Sequence, residues 1–162
     1  MSKKDKKKIA SSIREQLGER VASLVLESKK VEAARLRHKD VENVIIIDDV
    51  PAFFIYKEEI YPTLLLIYKL GFVPELPKVF VDAGAVPHIL NGADVMVPGI
   101  TKIEGSFSEN DKVLVVEEEK QRIFAVGKAL MSSEHIATSR KGKAIKNIHY
   151  AGDELWEIFL NI

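Results

Sequence analysis

Cysteine is absent from the 162 residues. That absence removes disulfides, thiolate zinc sites and a cysteine nucleophile together, and it fits a reducing compartment. Net charge is missing too, with lysine plus arginine and aspartate plus glutamate at 24 each. The balance also holds by halves: residues 1–77 carry 14 basic and 12 acidic groups, and residues 78–162 carry 10 and 12. A polyanion meets no global attraction here, so any nucleic-acid surface is a local patch. Long apolar runs are lacking, since stretches such as Val44–Ile47 and Leu64–Tyr68 fall far short of a membrane span. Met1 to Ile9 holds five lysines with no apolar segment behind them, which does not make a secretory signal. That lysine run reads either as a solvated helix start or as a basic arm. What is present is the composition of a folded chain, 46% apolar and 30% charged, long enough for one ordinary domain or two small ones. The expectation is a soluble, cytoplasmic protein with no membrane contact.

Ile9, Ile13, Leu17, Val21 and Leu24 recur at steps of three and four. This is a helical stripe, and Gly18 interrupts it. Two helices follow, Lys3–Leu17 and Glu19–Glu27. Val31, Ala33 and Leu36, then Val44–Ile47, then Ala52–Tyr56 read as three strands, with Asp48-Asp49-Val50-Pro51 as a tight connection. Tyr61-Pro62 is expected to open a buried helix through Leu64, Leu65, Ile67 and Tyr68, with proline in its first turn and Gly71 at its end. Pro74 and Pro77 stiffen a connector, which places a domain boundary there: residues 1–76 and residues 77–162.

The second half starts with a strand, Lys78–Val81. Gly84-Ala85 turns the chain into a short helix, Val86–Leu90, closed by Asn91-Gly92. Val95–Val97 reads as a strand, Pro98-Gly99 as a turn, and Lys112–Val116 with Arg122–Val126 as a hairpin. A serine at 132 or 133 caps a short helix near Glu134–Ala137. A glycine- and lysine-rich loop then runs to a last strand, Ile148–Tyr150.

Several segments of this half carry a family likeness. They are Val81-Asp82-Ala83-Gly84-Ala85, Ile89-Leu90-Asn91-Gly92-Ala93-Asp94-Val95-Met96-Val97-Pro98-Gly99-Ile100, Ala125–Ala129, Gly142-Lys143-Ala144, Asn147–Tyr150 and Asp153–Trp156. In this order and spacing they resemble a PUA domain, the module named for pseudouridine synthases and archaeosine transglycosylases. Tyr61-Pro62-Thr63-Leu64, Lys69 and Phe72, just ahead of it, resemble the MCT family of small PUA proteins, and the chain looks like an archaeal-type member. The fold this implies is an α+β N-terminal domain with a small antiparallel sheet, followed by a mostly-β PUA pseudo-barrel. The function it implies is a non-catalytic RNA-binding protein associated with translation. Its partners would be structured RNA (tRNA or rRNA), the small ribosomal subunit, and a second translation-factor protein held through residues 1–76. The step would be initiation or ribosome recycling. Neither DNA nor a cofactor is expected.

In PUA domains the glycine-containing first turn, the short helix and the next strand form much of the contact surface. Here that maps to Gly84, Ala85 and His88 within Gly84–Val97. Gly84 and Ala85 let a phosphate approach the backbone closely, or serve only the turn. Gly92 reads as a helix terminator. Arg140, Lys141, Lys143 and Lys146 lie within seven residues with no acid among them. Such a loop follows a phosphate backbone, or is simply solvated. Lys102, after the Pro98-Gly99 turn, extends the patch. The acidic Glu117-Glu118-Glu119 should point elsewhere. His149 and Tyr150 could stack on a base, or form a terminal strand with Tyr150 partly in the core. Trp156 should pack back on the barrel, and Asp82 should support its turn by accepting N–H bonds.

Catalysis and metal binding find no motif. The four histidines, at 38, 88, 135 and 149, lack HExxH spacing, and there is no P-loop, GxGxxG or GxSxG. Acid pairs at Asp48-Asp49 and Glu58-Glu59 read as solvated surface. Two alternatives to the RNA-binding reading stand: a protein-interaction adaptor, and a tRNA-delivering subunit of a separate RNA-modifying enzyme. An exposed apolar surface on Phe53–Tyr56 or Leu64–Tyr68 would favour the adaptor.

Overall fold

In the computed structural model, which describes residues 2–162, the chain opens on helix α1 (Lys3–Leu17) and helix α2 (Glu19–Glu27). Ser2 caps α1, its hydroxyl accepting from the Asp5 N–H at 3.1 Å, which satisfies one of the free amides of a helix start. Gly18 separates the helices at φ 95°, a conformation glycine reaches without a Cβ clash. Ala10, Ile13 and Leu17 of α1 and Val21, Ala22 and Val25 of α2 are buried, as the stripe predicts.

Four antiparallel strands follow in sequence order: β1 (Val31–Arg35), β2 (Val41–Ile47), β3 (Val50–Tyr56) and β4 (Glu59–Pro62). Three were expected from the sequence. The fourth arises because Lys57-Glu58 makes a two-residue turn with φ 46° and 69°, the backbone of a type I′ hairpin. Pro62 therefore ends a strand instead of opening a helix. It pairs with Phe53 at the sheet's edge, where a missing N–H is tolerated. The helix cap is Thr63, whose Oγ1 accepts from the Leu66 N–H at 3.1 Å while donating to the Pro51 carbonyl at 2.6 Å. Helix α3 runs Leu64–Leu70 and ends on left-handed Gly71. Phe53, Phe54, Tyr61 and Leu64–Leu66 are fully buried, and burial pushes the Tyr61 hydroxyl pKa up. Gln16 of α1 accepts the Ile60 N–H at 2.8 Å, covering the free edge of β4.

Contacts divide the chain between Glu75 and Leu76 into two compact units. The second holds β5 (Lys78–Val81), α4 (Val86–Ile89), β6 (Val95–Met96), a 3₁₀ turn (Val97–Gly99), β7 (Ile100–Glu104), β8 (Lys112–Glu117), β9 (Arg122–Ala129), α5 (Ser133–Thr138), β10 (Lys143–Tyr150) and α6 (Glu154–Leu160). Its six strands form a curled mixed sheet, a half-barrel of the kind the resemblance implies, ordered β6-β10-β9-β8-β5-β7 with β5 and β8 parallel. Val79, Val81, Val113, Val115, Ala125 and Ile145 fill the concave side, joined by Ile89 from α4 and Ile136 from α5.

The structure refines the expectations for this half at several points. Val97 belongs to the 3₁₀ turn, and β7 is an additional strand. The last strand begins at Lys143, not Ile148, so the basic segment is a turn at Arg140–Gly142 leading into β10. Trp156 is partly buried, and α6 also buries Leu155 and Phe159. His149 is fully buried. Its Nδ1 lies 3.0 Å from an Asp153 carboxylate oxygen, and its ring meets Phe159 edge-on, which removes it from base stacking. Tyr150 packs against the core in part.

Candidate nucleic-acid interface

The first turn of the second unit is built by Asp82. Its carboxylate accepts the Ala85 N–H at 2.9 Å, as a turn aspartate does. Its own N–H donates to the Gly99 carbonyl at 3.0 Å. Gly84 is exposed and sits outside the left-handed region. A Cβ there would meet only the Asp82 Oδ1, at 3.4 Å, so neither backbone conformation nor packing demands glycine at 84. Gly92 differs: its φ of 96° is a genuine terminator conformation. Ala85 lies against the 3₁₀ turn so closely that a Cβ on Gly99 would come within 3.0 Å of its own Cβ.

The basic turn reaches the same place from the other side. The Val97 N–H donates to the Gly142 carbonyl at 2.9 Å. Three stretches distant in sequence, Asp82–Ala85, Val97–Gly99 and Arg140–Gly142, are thus joined by main-chain bonds and one close packing contact. Asn147 fixes the helix alongside. Its Nδ2 donates to the Ile89 and Ala93 carbonyls at 3.0 Å each, and its N–H donates to Asp94 Oδ1 at 2.9 Å.

The expected residues divide into two groups. Gly84 and His88 are exposed and Ala85 is half-buried on the turn and α4, while Arg140 and Lys141 are exposed on the basic turn and Lys143 at the start of β10. Lys143 lies 3.6 Å from Asp94 yet stays two-thirds exposed, at 66%. Lys146 stands apart. It is half-buried on β10, in register with Lys128, about 10 Å along the strand from Lys143. Lys102 is on β7, with its Nζ 4.3 Å from the centre of the Phe80 ring and 3.4 Å from Glu104. These contacts occupy its charge. Lys102 and Ser139 line one cavity of ≈ 370 Å³ with Val97, Ile100, Thr101, Ile103, Ile136 and Ala137. Sequence reasoning missed this cavity because β7 was not recognised, although Ile100-Thr101-Lys102-Ile103 has strand composition. Leu90 and Met96 also leave apolar side chains at the surface.

Residues 77–151 match the PUA domain family, and residues 1–70 match the Domain of unknown function (DUF1947) family. A protein of Methanocaldococcus jannaschii is 39% identical over 96% of this chain and 93% of its own length. Translation machinery-associated protein 20 of Eremothecium gossypii is 35% identical, over 82% of this chain and 75% of its own. Malignant T-cell-amplified sequence 1-B of Xenopus laevis is 36% identical, over 75% and 67%. The chain belongs to the MCT-like family of PUA-domain proteins, in its archaeal form. Among solved structures, a hypothetical protein of the hyperthermophilic archaeon Pyrococcus horikoshii OT3 superposes with a TM-score of 0.80 at 40% identity, covering 98% of this chain and 97% of that one.

Within this PUA half-barrel the acidic run closes β8. The Glu118 N–H donates to the Val81 carbonyl at 3.0 Å, so the run begins beside the end of β5, one residue from the Asp82 turn. Glu117 is nearly buried and paired with Arg122 at 3.4 Å. The histidines are dispersed. The His38 Nδ1 accepts the Asp40 and Val41 N–H groups, His135 is exposed on α5, and no group of acids and histidines among the described residues could hold a metal. No helix among them is long and apolar enough to cross a membrane.

Proposed function

We propose that this protein binds structured RNA, a tRNA or the small-subunit rRNA, during translation initiation or ribosome recycling in the cytoplasm, and catalyses no reaction itself. Residues 77–162 would hold the RNA, and residues 1–76 would dock on the ribosome or a second translation factor. The observation that carries this reading is the joining of the Asp82–Ala85, Val97–Gly99 and Arg140–Gly142 turns into one surface. It exposes Arg140, Lys141 and Lys143 beside backbone that a phosphate can approach at Gly84. Lys102 and Lys146 belong to its margin. The family membership and the translation-machinery association of a relative support the same reading. Of the two segments that would favour the adaptor alternative, Phe53, Phe54 and Leu64–Leu66 are buried and Tyr68 is exposed.

The test is binding of the full chain to tRNA and co-sedimentation with small ribosomal subunits. Arg140→Glu with Lys143→Glu should lower affinity about ten-fold or more, and should flatten its salt dependence by about one unit of log slope for each phosphate that the surface no longer neutralises. Unchanged affinity and slope in a folded double variant would refute the assignment of this surface. Retained tRNA binding without ribosome binding would move the protein to tRNA delivery.

A further inference from the structure

The PUA surface leaves the lysines at the start of α1 unused. Lys3, Lys4, Lys7 and Lys8 are all exposed in its first two turns. At 3.6 residues per turn Lys3 stacks on Lys7 and Lys4 on Lys8; Lys4 and Lys8 lie away from the buried Ala10, Ile13 and Leu17, Lys7 flanks that stripe, and Lys3 is exposed one turn ahead of it on the same side. Two rules of helix electrostatics are broken here. Like charges four residues apart repel, and cations sit beside the positive end of the helix dipole. The acid of that turn, Asp5, is engaged by the Ser2 hydroxyl at 2.8 Å, a bond that holds its carboxyl below the usual range. Lys6 points the other way, its Nζ donating to the Ser28 carbonyl at 2.5 Å, and this brings exposed Lys29 beside the helix start.

Among the described residues no ion pair joins Lys3, Lys4, Lys7, Lys8 or Lys29 to an acid. The carboxylates beside Lys29 and Lys30 are committed, while Asp5 stays within electrostatic reach of Lys8. Asp48 accepts the Lys29 and Lys30 N–H groups, and Asp49 and Glu32 each lie 3.3 Å from the Lys30 Nζ. Glu58 shares a cavity wall with Lys8.

We propose that this face of α1 docks on the phosphodiester backbone of duplex RNA. Rows of ammonium groups at the i,i+4 spacing, about 5–6 Å between Cβ atoms, suit successive phosphates along a strand. The face offers point charges without an aromatic platform, so it reads backbone and not unstacked bases. A bilayer is the poorer partner. Membrane-surface helices insert an apolar stripe, and the stripe of α1 is already buried in its own unit. Local repulsion that a phosphate strand relieves is the kind of rule-breaking expected at a functional face.

This surface lies in the first compact unit and stands independently of the turn at Arg140–Gly142. The full chain is titrated with a random-sequence RNA duplex between about 50 and 200 mM salt, as wild type, as K3Q/K4Q/K7Q/K8Q and as R140E/K143E. The glutamine variant should lose about ten-fold or more in affinity at low salt, and its log–log salt slope should fall by roughly 3 to 4. Its melting temperature should rise, because the repulsion is gone. Wild-type affinity and slope in that variant overturn the proposal, whatever R140E/K143E does. A loss confined to R140E/K143E leaves the PUA reading standing and removes this one. Binding of wild type to phosphatidylglycerol vesicles but not to the duplex assigns the face to a membrane, and likewise overturns it.

Discussion

In the first unit every strand pairs with its neighbour in sequence, β1-β2-β3-β4, whereas the second orders its strands β6-β10-β9-β8-β5-β7 and runs β5 parallel to β8. The first sheet depends on turn chemistry. Its Asp48-Asp49 and Lys57-Glu58 connections hold four non-glycine residues at positive φ, a conformation that disfavours most side chains. The second depends on close approach between distant segments: Gly127 lets β9 and β10 pack where a Cβ would come 2.4 Å from Ile145 Cγ2 and 2.7 Å from the Lys146 carbonyl oxygen. Local pairing closes short loops and is entropically easy, while non-local pairing must first close long ones. The candidate RNA surface is assembled in the non-local unit. There main-chain bonds make neighbours of Val97 and Gly142.

Substitution at the close approach should have the largest effect. Gly127→Val should destabilise the protein by about 3 kcal/mol or more through overpacking against backbone that cannot move, read as a lower denaturation midpoint and faster amide exchange in β8–β10. A near-neutral result would mean that the second sheet yields more easily than its geometry implies. Thr63→Ala in the first unit should cost about 1–2 kcal/mol, since the substitution removes a buried hydroxyl that both caps α3 and bonds Pro51. The smallest effect has the opposite sign. Replacing Lys57-Glu58 by Asn-Gly should stabilise by about 0.5–1 kcal/mol, because these residues accept the type I′ backbone. Thermal unfolding measures it, and a loss of stability would show that the native pair contributes more than its turn.

The same contrast explains what could be read in advance. Helices α1 and α2 were legible to the residue, because a 3.6-residue stripe and one glycine are local facts. Strand β4 was not: Lys57-Glu58 carries none of the glycine or asparagine that marks a tight hairpin, and Pro62 looked like a helix start although the cap was one residue on. The beginning of β10 was hidden because Lys141-Gly142-Lys143 resembles a loop, and only pairing with β6 and β9 makes it a strand. At the candidate site, residue types and their clustering were visible. The pairing of Lys102 with Phe80 and Glu104, the approach of the acidic run to Val81 and the cavity beside β7 all need three dimensions.

The bond from the Val97 N–H to the Gly142 carbonyl, like that from Asp82 to Gly99, is made wholly by main-chain atoms. Every residue except proline carries the donor, and every residue carries the acceptor. The shape of the surface is thus nearly indifferent to which side chains stand at 140, 141 and 143. Such a surface is easy for evolution to rewrite: changes at these positions would alter preference among nucleic acids while the scaffold stays the same. A library randomised there would inherit the same freedom.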